Sequence, residues 1–110
     1  MKLRIVDELI EVVGRVHRLS RVVGRRDRNL AEQMRDAATG IGTNAGEGLW
    51  GKGGNRTVRL ESAMTSGREV IFALRIAGSA GYLGADVVAR QVDEVDRVVA
   101  ILHKLTYPRR

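Results

Sequence analysis

Hydrophobic residues recur at intervals of three and four along most of this 110-residue chain. That spacing places side chains on one face of an α-helix, and it is repeated in four segments. The first segment covers residues 3–25. The pattern is interrupted near Gly24, over residues 49–56 and at residues 82–84. Short connections between four helices predict an all-α fold, an antiparallel up-down four-helix bundle, with residues 1–110 forming a single domain.

The second segment changes character along its length. Asn29 is its predicted N-cap, because Glu32 follows at the spacing of a capping box. From residue 35 to residue 50 it fills with glycine and other small residues, and each glycine costs an isolated helix about 1 kcal/mol relative to alanine. We therefore expect these positions to admit the close approach of another backbone, from a neighbouring helix or a second subunit. Thr57 is expected to begin the third helix.

Charge and composition narrow the possible functions. The chain has no cysteine, which excludes disulfides, zinc-thiolate sites and thiol catalysis. Its net charge of +6 comes mainly from arginine and favours polyanionic partners, although high charge also serves solubility alone. No apolar run reaches the roughly 18 residues of a membrane span, and the charged N-terminus is unlike a signal peptide. A cytoplasmic protein without a membrane partner is expected.

Two groups of basic residues are candidates for phosphate contact. The first helix carries a row of arginines along one edge, within about 120° of the helical wheel. A second group surrounds the glycine-rich turn after Trp50, whose indole suits base stacking. The row also fits an ordinary solvated face, and Trp50 also fits a residue that closes the end of the bundle. The seven candidates for nucleic-acid binding are Arg15, Arg18, Arg21, Arg25, Lys52, Arg56 and Arg59.

Enzymatic sites have less support. Residues 46–53 imitate a phosphate-binding loop but lack the hydroxyl residue that holds magnesium, and a helix precedes them. Glu47 and Glu69 are the remaining carboxylates of interest, as an acid–base pair or as metal ligands of a nuclease. We favour a partly buried structural network, because a buried carboxylate must be paired or hydrogen-bonded. Its members are Arg35, Asn44, Glu47, Ser66 and Glu69, and no catalytic residue, metal or cofactor is predicted.

The middle of the chain resembles a known family. Residues 33–48, QMRDAATGIGTNAGEG, stand in register with the pattern Q-L-R-x-A-x-x-S-I-x-x-N-I-A-E-G, and residues 63–70 and 81–83 match A-x-G-S-x-x-E-L and G-Y-L. This pattern is similar to that of small bacterial four-helix bundle proteins encoded in intervening sequences of 23S rRNA genes. The same family includes the accessory variability determinant of diversity-generating retroelements. Glycine replaces the family's serine at Gly40 and its alanine at Gly46, and Thr65 replaces a glycine.

The resemblance covers roughly residues 30–105 and implies a homopentameric barrel of bundles. Its retroelement members imply a non-catalytic accessory that binds nucleic acid, RNA or DNA, and a reverse transcriptase. We therefore expect a basic, oligomeric nucleic-acid-binding scaffold without enzymatic activity. The alternative is an interaction adaptor whose basic surface docks a reverse transcriptase or other effector protein without binding nucleic acid itself.

Overall fold

The computed structural model describes residues 2–109, with side chains described from residue 4, and these residues form four α-helices. The helices are α1 (Lys2–Gly24), α2 (Arg28–Trp50), α3 (Gly54–Ser79) and α4 (Ala85–Thr106). Helix α1 packs on α2, α2 on α3 and α3 on α4, while α1 and α4 touch more sparsely and close the ring. The predicted all-α four-helix bundle is confirmed. It is 44 Å long and about 20 Å across, with extents of 22 and 19 Å in the two shorter directions.

The core follows the apolar stripes of all four helices. Its largest fully buried side chains include Met34, Ile41, Leu60, Leu74 and Leu102. Two polar residues are also buried, and both are hydrogen-bonded. The Ser20 hydroxyl donates to the His17 carbonyl oxygen at 2.6 Å, and the Gln91 amide donates to Glu94 Oε1 at 3.0 Å.

The start of α2 differs from the sequence prediction. Asp27, rather than Asn29, is the N-cap: its extended backbone precedes the first helical turn, and its Oδ1 accepts from the Leu30 backbone N–H at 2.9 Å. The prediction of Asn29 is wrong because the helix begins at Arg28, two residues before the start that an N-cap at Asn29 implies. The sequence contained two residues able to cap, and local backbone geometry selected the first.

The connection between α2 and α3 is shorter than predicted. Instead of residues 49–56, only residues 51–53 lie outside the helices, and α3 begins at Gly54 rather than Thr57. Helix α2 continues to Trp50 because Leu49 is buried, so packing outweighs the low helix propensity of the glycines before it. Gly53 has a φ of +65°, a backbone conformation that glycine adopts without the penalty of a Cβ atom.

Glycines inside the helices let neighbouring side chains approach closely. A Cβ atom at Gly48 would lie 2.7 Å from Leu60 Cδ2, and one at Gly67 would lie 2.5 Å from Val99 Cγ2. A Cβ at Gly40 would meet Ser66 Oγ at 2.7 Å. Close approach is therefore found at Gly40 and Gly48 of the predicted stretch, whereas a Cβ at Gly42 would meet only Val13 Cγ2 at 3.5 Å, an ordinary contact. Gly46 is different, because a Cβ there would have no atom within 4 Å.

Candidate nucleic-acid interface

The arginine row of α1 divides into paired and unpaired members. Arg15 is half-buried, and its guanidinium contacts Glu94 Oε1 at 3.3 Å and Glu11 Oε2 at 3.6 Å. Arg18 and Arg21 are exposed on the same helix, and Arg25 is exposed in the turn that follows it. No salt bridge among the described residues involves these last three arginines. The row thus presents positive charge mainly towards its C-terminal end.

Two further arginines, which the sequence reasoning passed over, extend this basic end. Arg26 and Arg28 are both exposed at the turn between α1 and α2. The Arg26 guanidinium carbon lies 5.6 Å from the centre of the Tyr82 ring, so a cation–π contact joins the α1–α2 and α3–α4 turns. The sequence carried a signal for these two residues, the run Arg25-Arg26-Asp27-Arg28, which has three arginines and one carboxylate. In the structure that carboxylate accepts the Leu30 N–H and caps α2.

The basic residues near the α2–α3 turn are arranged differently. Lys52 is exposed, whereas Arg56 is half-buried and its Nη1 donates to the Gly48 carbonyl oxygen at 3.4 Å, a long contact at the end of α2. Trp50 is 58% exposed, so the interpretation that its side chain closes the end of the bundle is wrong. The neighbouring Leu49 is buried there instead. An exposed indole beside Lys52 retains the chemistry expected for stacking on bases.

The seven predicted binding residues do not form one surface. Because the bundle is antiparallel, the α1–α2 turn and the α2–α3 turn lie at opposite ends. Residue 31 of α2 lies level with the exposed arginines of α1. It is separated from residue 51 by about 30 Å, from a rise of 1.5 Å per residue. The structure therefore contains two basic regions. We call the first, formed by Arg18, Arg21, Arg25, Arg26 and Arg28, the arginine end.

Arg59 is the centre of a polar cluster between α2 and α3. Its Nη1 donates to Asn44 Oδ1 at 3.3 Å, and its buried Nε lies 3.0 Å from Glu47 Oε2. The Nε contact is an ion pair without the alignment of a hydrogen bond. Asn44 in turn donates to the Gly40 carbonyl oxygen at 3.0 Å. Arg59, predicted as a phosphate contact, thus ties two helices together.

The predicted structural network is only partly assembled. Asn44 and Glu47 belong to the Arg59 cluster, but the Glu47 side chain is 57% exposed rather than buried. Ser66 faces Gly40 next to this cluster. Arg35 instead lies beside Ser20 at the α1–α2 cleft, and Glu69 is exposed on the rim of a groove between α2 and α3. Among the described residues, no hydrogen bond or salt bridge joins either of these two to the cluster.

That groove carries exposed apolar side chains. It has a volume of about 500 Å³, and Phe72 and Ile76 on its α3 side are 66% and 53% exposed. Leu30 and Ala37 contribute from α2. Large side chains of this kind grouped on one surface are typical of protein contact sites.

Other titratable groups offer little chemistry. Within residues 4–109, no three His, Cys, Asp or Glu side chains are grouped so that they could hold a metal ion. His17 Nε2 and Thr39 Oγ1 are 3.0 Å apart, linking α1 to α2. The Tyr107 hydroxyl donates to Glu61, and this hydrogen bond raises the pKa of the tyrosine, with further contributions from burial and from the carboxylate charge. Across residues 2–109, no helix combines the length and apolar composition that a bilayer crossing requires.

Comparison with known proteins yielded one similar structure. No family model and no curated protein matches the sequence. The solved structure is that of a protein of unknown function from the S23 ribosomal protein family of Bacteroides thetaiotaomicron. The two chains share 15% identity with a TM-score of 0.87, over 94% of this chain and 98% of the other. This likeness establishes the fold alone. It agrees with the four-helix architecture that the resemblance implied.

Proposed function

We propose that the protein is a non-catalytic, oligomeric accessory or scaffold that binds nucleic acid through its phosphates. The observation that supports it best is the arginine end, where five exposed arginines lie within eleven residues and no carboxylate pairs with them among the described residues. Arginine suits phosphate geometry, and such a surface contacts the backbone without reading bases. Lys52 and Trp50 supply a second contact region at the other end.

Salt dependence tests this proposal directly. Binding of labelled duplex DNA, single-stranded DNA and RNA is measured by fluorescence anisotropy over a range of salt concentrations. We expect log affinity to fall with log salt by about 0.9 per phosphate contact for duplex DNA and about 0.7 for single strands. The variant Arg21→Gln/Arg25→Gln should have a shallower slope, whereas Arg68→Gln/Arg75→Gln removes the same charge from exposed positions of α3 and should not. An affinity that does not change with salt would refute the proposal.

The assembly and biological role extend the proposal through the family resemblance. We propose a homo-oligomer, a pentamer by that resemblance, acting in the cytoplasm beside a reverse transcriptase or another effector protein. Exposed Phe72 and Ile76 support a surface for self-association. Sedimentation equilibrium gives the answer, and a stable monomer at micromolar concentration would remove the pentamer. A reverse transcriptase gene next to this one would favour the retroelement role.

The second candidate function is an adaptor whose basic surface docks a protein partner without binding nucleic acid, and the same groove offers it an apolar contact surface. Its apolar residues are rimmed by Asp36 and Glu69, a composition suited to a partner with apolar and basic side chains. The double variant Phe72→Ser/Ile76→Ser separates the two functions. In a scaffold the variant still binds nucleic acid. In an adaptor neither the wild type nor the variant binds nucleic acid, and the variant loses capture of a purified reverse transcriptase.

A further inference from the structure

A small cleft between α1 and α4 brings together three arginines from these two helices. Arg15 and Arg18 line it from α1, and Arg90 lines it from α4. The contact of Arg15 with Glu94 fixes the two antiparallel helices at this level, so Arg18 and Arg90 lie near one another across the cleft. Leu19 and Val87 form apolar walls, and the buried Gln91 completes the lining.

The charges in the cleft are unbalanced. Arg15 has its charge compensated by Glu94, whose Oε1 also accepts from Gln91. Arg18 and Arg90 have no salt bridge among the described residues, and none of the residues that line the cleft is acidic. Arg18 and Arg90 both line this cavity, so their like charges repel each other, and an anion held between them would remove that repulsion. Apolar walls reduce competition from water and strengthen such a contact.

Size selects the kind of anion. The cavity has a volume of about 190 Å³, below the roughly 300–1,000 Å³ of sites that enclose a whole small molecule. A single phosphate group with some of its water fits a cavity of this size. The planar, forked guanidinium also matches phosphate oxygens in pairs.

We propose that the α1–α4 cleft is a binding site for one phosphate group, held by Arg18 and Arg90 with Arg15 positioned beside them by Glu94. The source of the phosphate is the backbone of a nucleic acid, and this part of the proposal rests on the proposed function. Arg90 is then a contact residue that the helical pattern of α1 alone does not reveal. A small phosphorylated molecule would use the same chemistry.

The first part of the test uses inorganic phosphate at constant ionic strength, maintained with chloride. Backbone amide NMR signals of the cleft walls, Leu19 and Val87, should shift saturably in the wild type and in the control Arg68→Gln/Arg75→Gln. They should not shift in Arg18→Gln/Arg90→Gln, which replaces exposed side chains and should keep the circular dichroism spectrum of the wild type. Shifts that are absent from the wild type, or that persist in the cleft variant, would overturn the site.

The second part identifies the source of the phosphate. With a single-stranded oligonucleotide, the cleft variant should lose about 0.7 of salt slope relative to the wild type, the value for one phosphate contact, while the control keeps the full slope. An unchanged slope, with phosphate shifts that depend on Arg18 and Arg90, would assign the cleft to a small phosphorylated molecule and overturn the nucleic-acid source. If the wild type bound no nucleic acid but still bound phosphate in the cleft, the proposed function would fail and the site would stand.

Discussion

The α2–α3 and α1–α4 contacts of this bundle have opposite character. Between α2 and α3, glycine removes the side chain that would keep the helices apart, and Leu60 packs against Gly48. Between α1 and α4, arginines and carboxylates pair across a thinner seam, as in Glu8 with Arg97 at 3.0 Å. The first contact specifies the fold through shape, and the second leaves polar groups accessible to ligands. We therefore expect the α2–α3 contact to contribute more to stability than the α1–α4 contact.

The largest expected effect is on the α2–α3 side. Leu60 is fully buried, and Leu60→Ala should reduce the free energy of unfolding by about 2–5 kcal/mol, because it removes apolar contacts and leaves a cavity. Urea denaturation followed by circular dichroism measures this. Val58→Ala, at a 58% exposed position of the same helix, is the control and should change stability by less than about 0.5 kcal/mol. Equal losses would show that this contact is not tightly packed.

A pair of glycine substitutions in α2 isolates the effect of close approach. Gly46→Ala should stabilise the protein by about 1 kcal/mol, since its new methyl group meets no neighbour within 4 Å. Gly48→Ala gains the same helix propensity but forces Leu60 to move, at an overpacking cost of about 1–3 kcal/mol. The two variants should therefore differ by about 1–3 kcal/mol in urea denaturation. In a Leu60→Ala background the difference should shrink, and a difference that stays constant would contradict this packing.

The polar cluster within the α2–α3 contact should have an intermediate effect. Asn44→Ala removes the hydrogen bond from Arg59 and the one to Gly40, and we expect a loss of about 0.5–1.5 kcal/mol. Asn55→Ala, at an exposed position early in α3, is the matched control. If both substitutions had the same effect on the denaturation midpoint, Arg59 would have no structural role and would be available to phosphate.

The smallest effect is expected at the α1–α4 seam. The Arg97 side chain is 70% exposed, so a double-mutant cycle of Glu8→Gln and Arg97→Gln should give a coupling energy of only about 0.2–1 kcal/mol. The coupling should decrease when the denaturation is repeated at high salt, because exposed charges are screened. A coupling above about 2 kcal/mol that resists salt would remove the contrast between the two contacts.

The sequence was informative about the helices and much less so about the pairing between them. Apolar periodicity predicted four helices because each buries one face along its whole length. The same periodicity also indicated that Glu47 points outward, because it lies about 120° around α2 from Ile41. The flanking glycines suggested burial instead, and that interpretation was wrong. The exposure of Trp50 and the continuation of α2 to that residue depend on where Leu49 packs, which periodicity near a helix end does not determine.

Contacts between distant residues were beyond the reach of single-sequence reasoning. Arg59 meets Asn44 and Glu47 only because a three-residue turn sets the register of α2 against α3. Arg90 lines the same cleft as Arg15 and Arg18 only because the chain returns to its starting helix. Four of the seven basic candidates are exposed, and their division between two ends of the bundle required the three-dimensional structure.

The three-residue turn between α2 and α3 has a consequence for the order of folding. Closing a loop of this length costs little chain entropy, whereas the α1–α4 pairs join residues 79 and 89 positions apart. The helical hairpin α2–α3 is therefore expected to assemble in the folding transition state, and α1 to close onto α4 afterwards. Leu60→Ala should then slow refolding, while Val12→Ala on α1 should mainly accelerate unfolding. The opposite pattern in stopped-flow measurements would place the folding nucleus at the α1–α4 contact. The short glycine turn thus leads to a testable order in which the helices close.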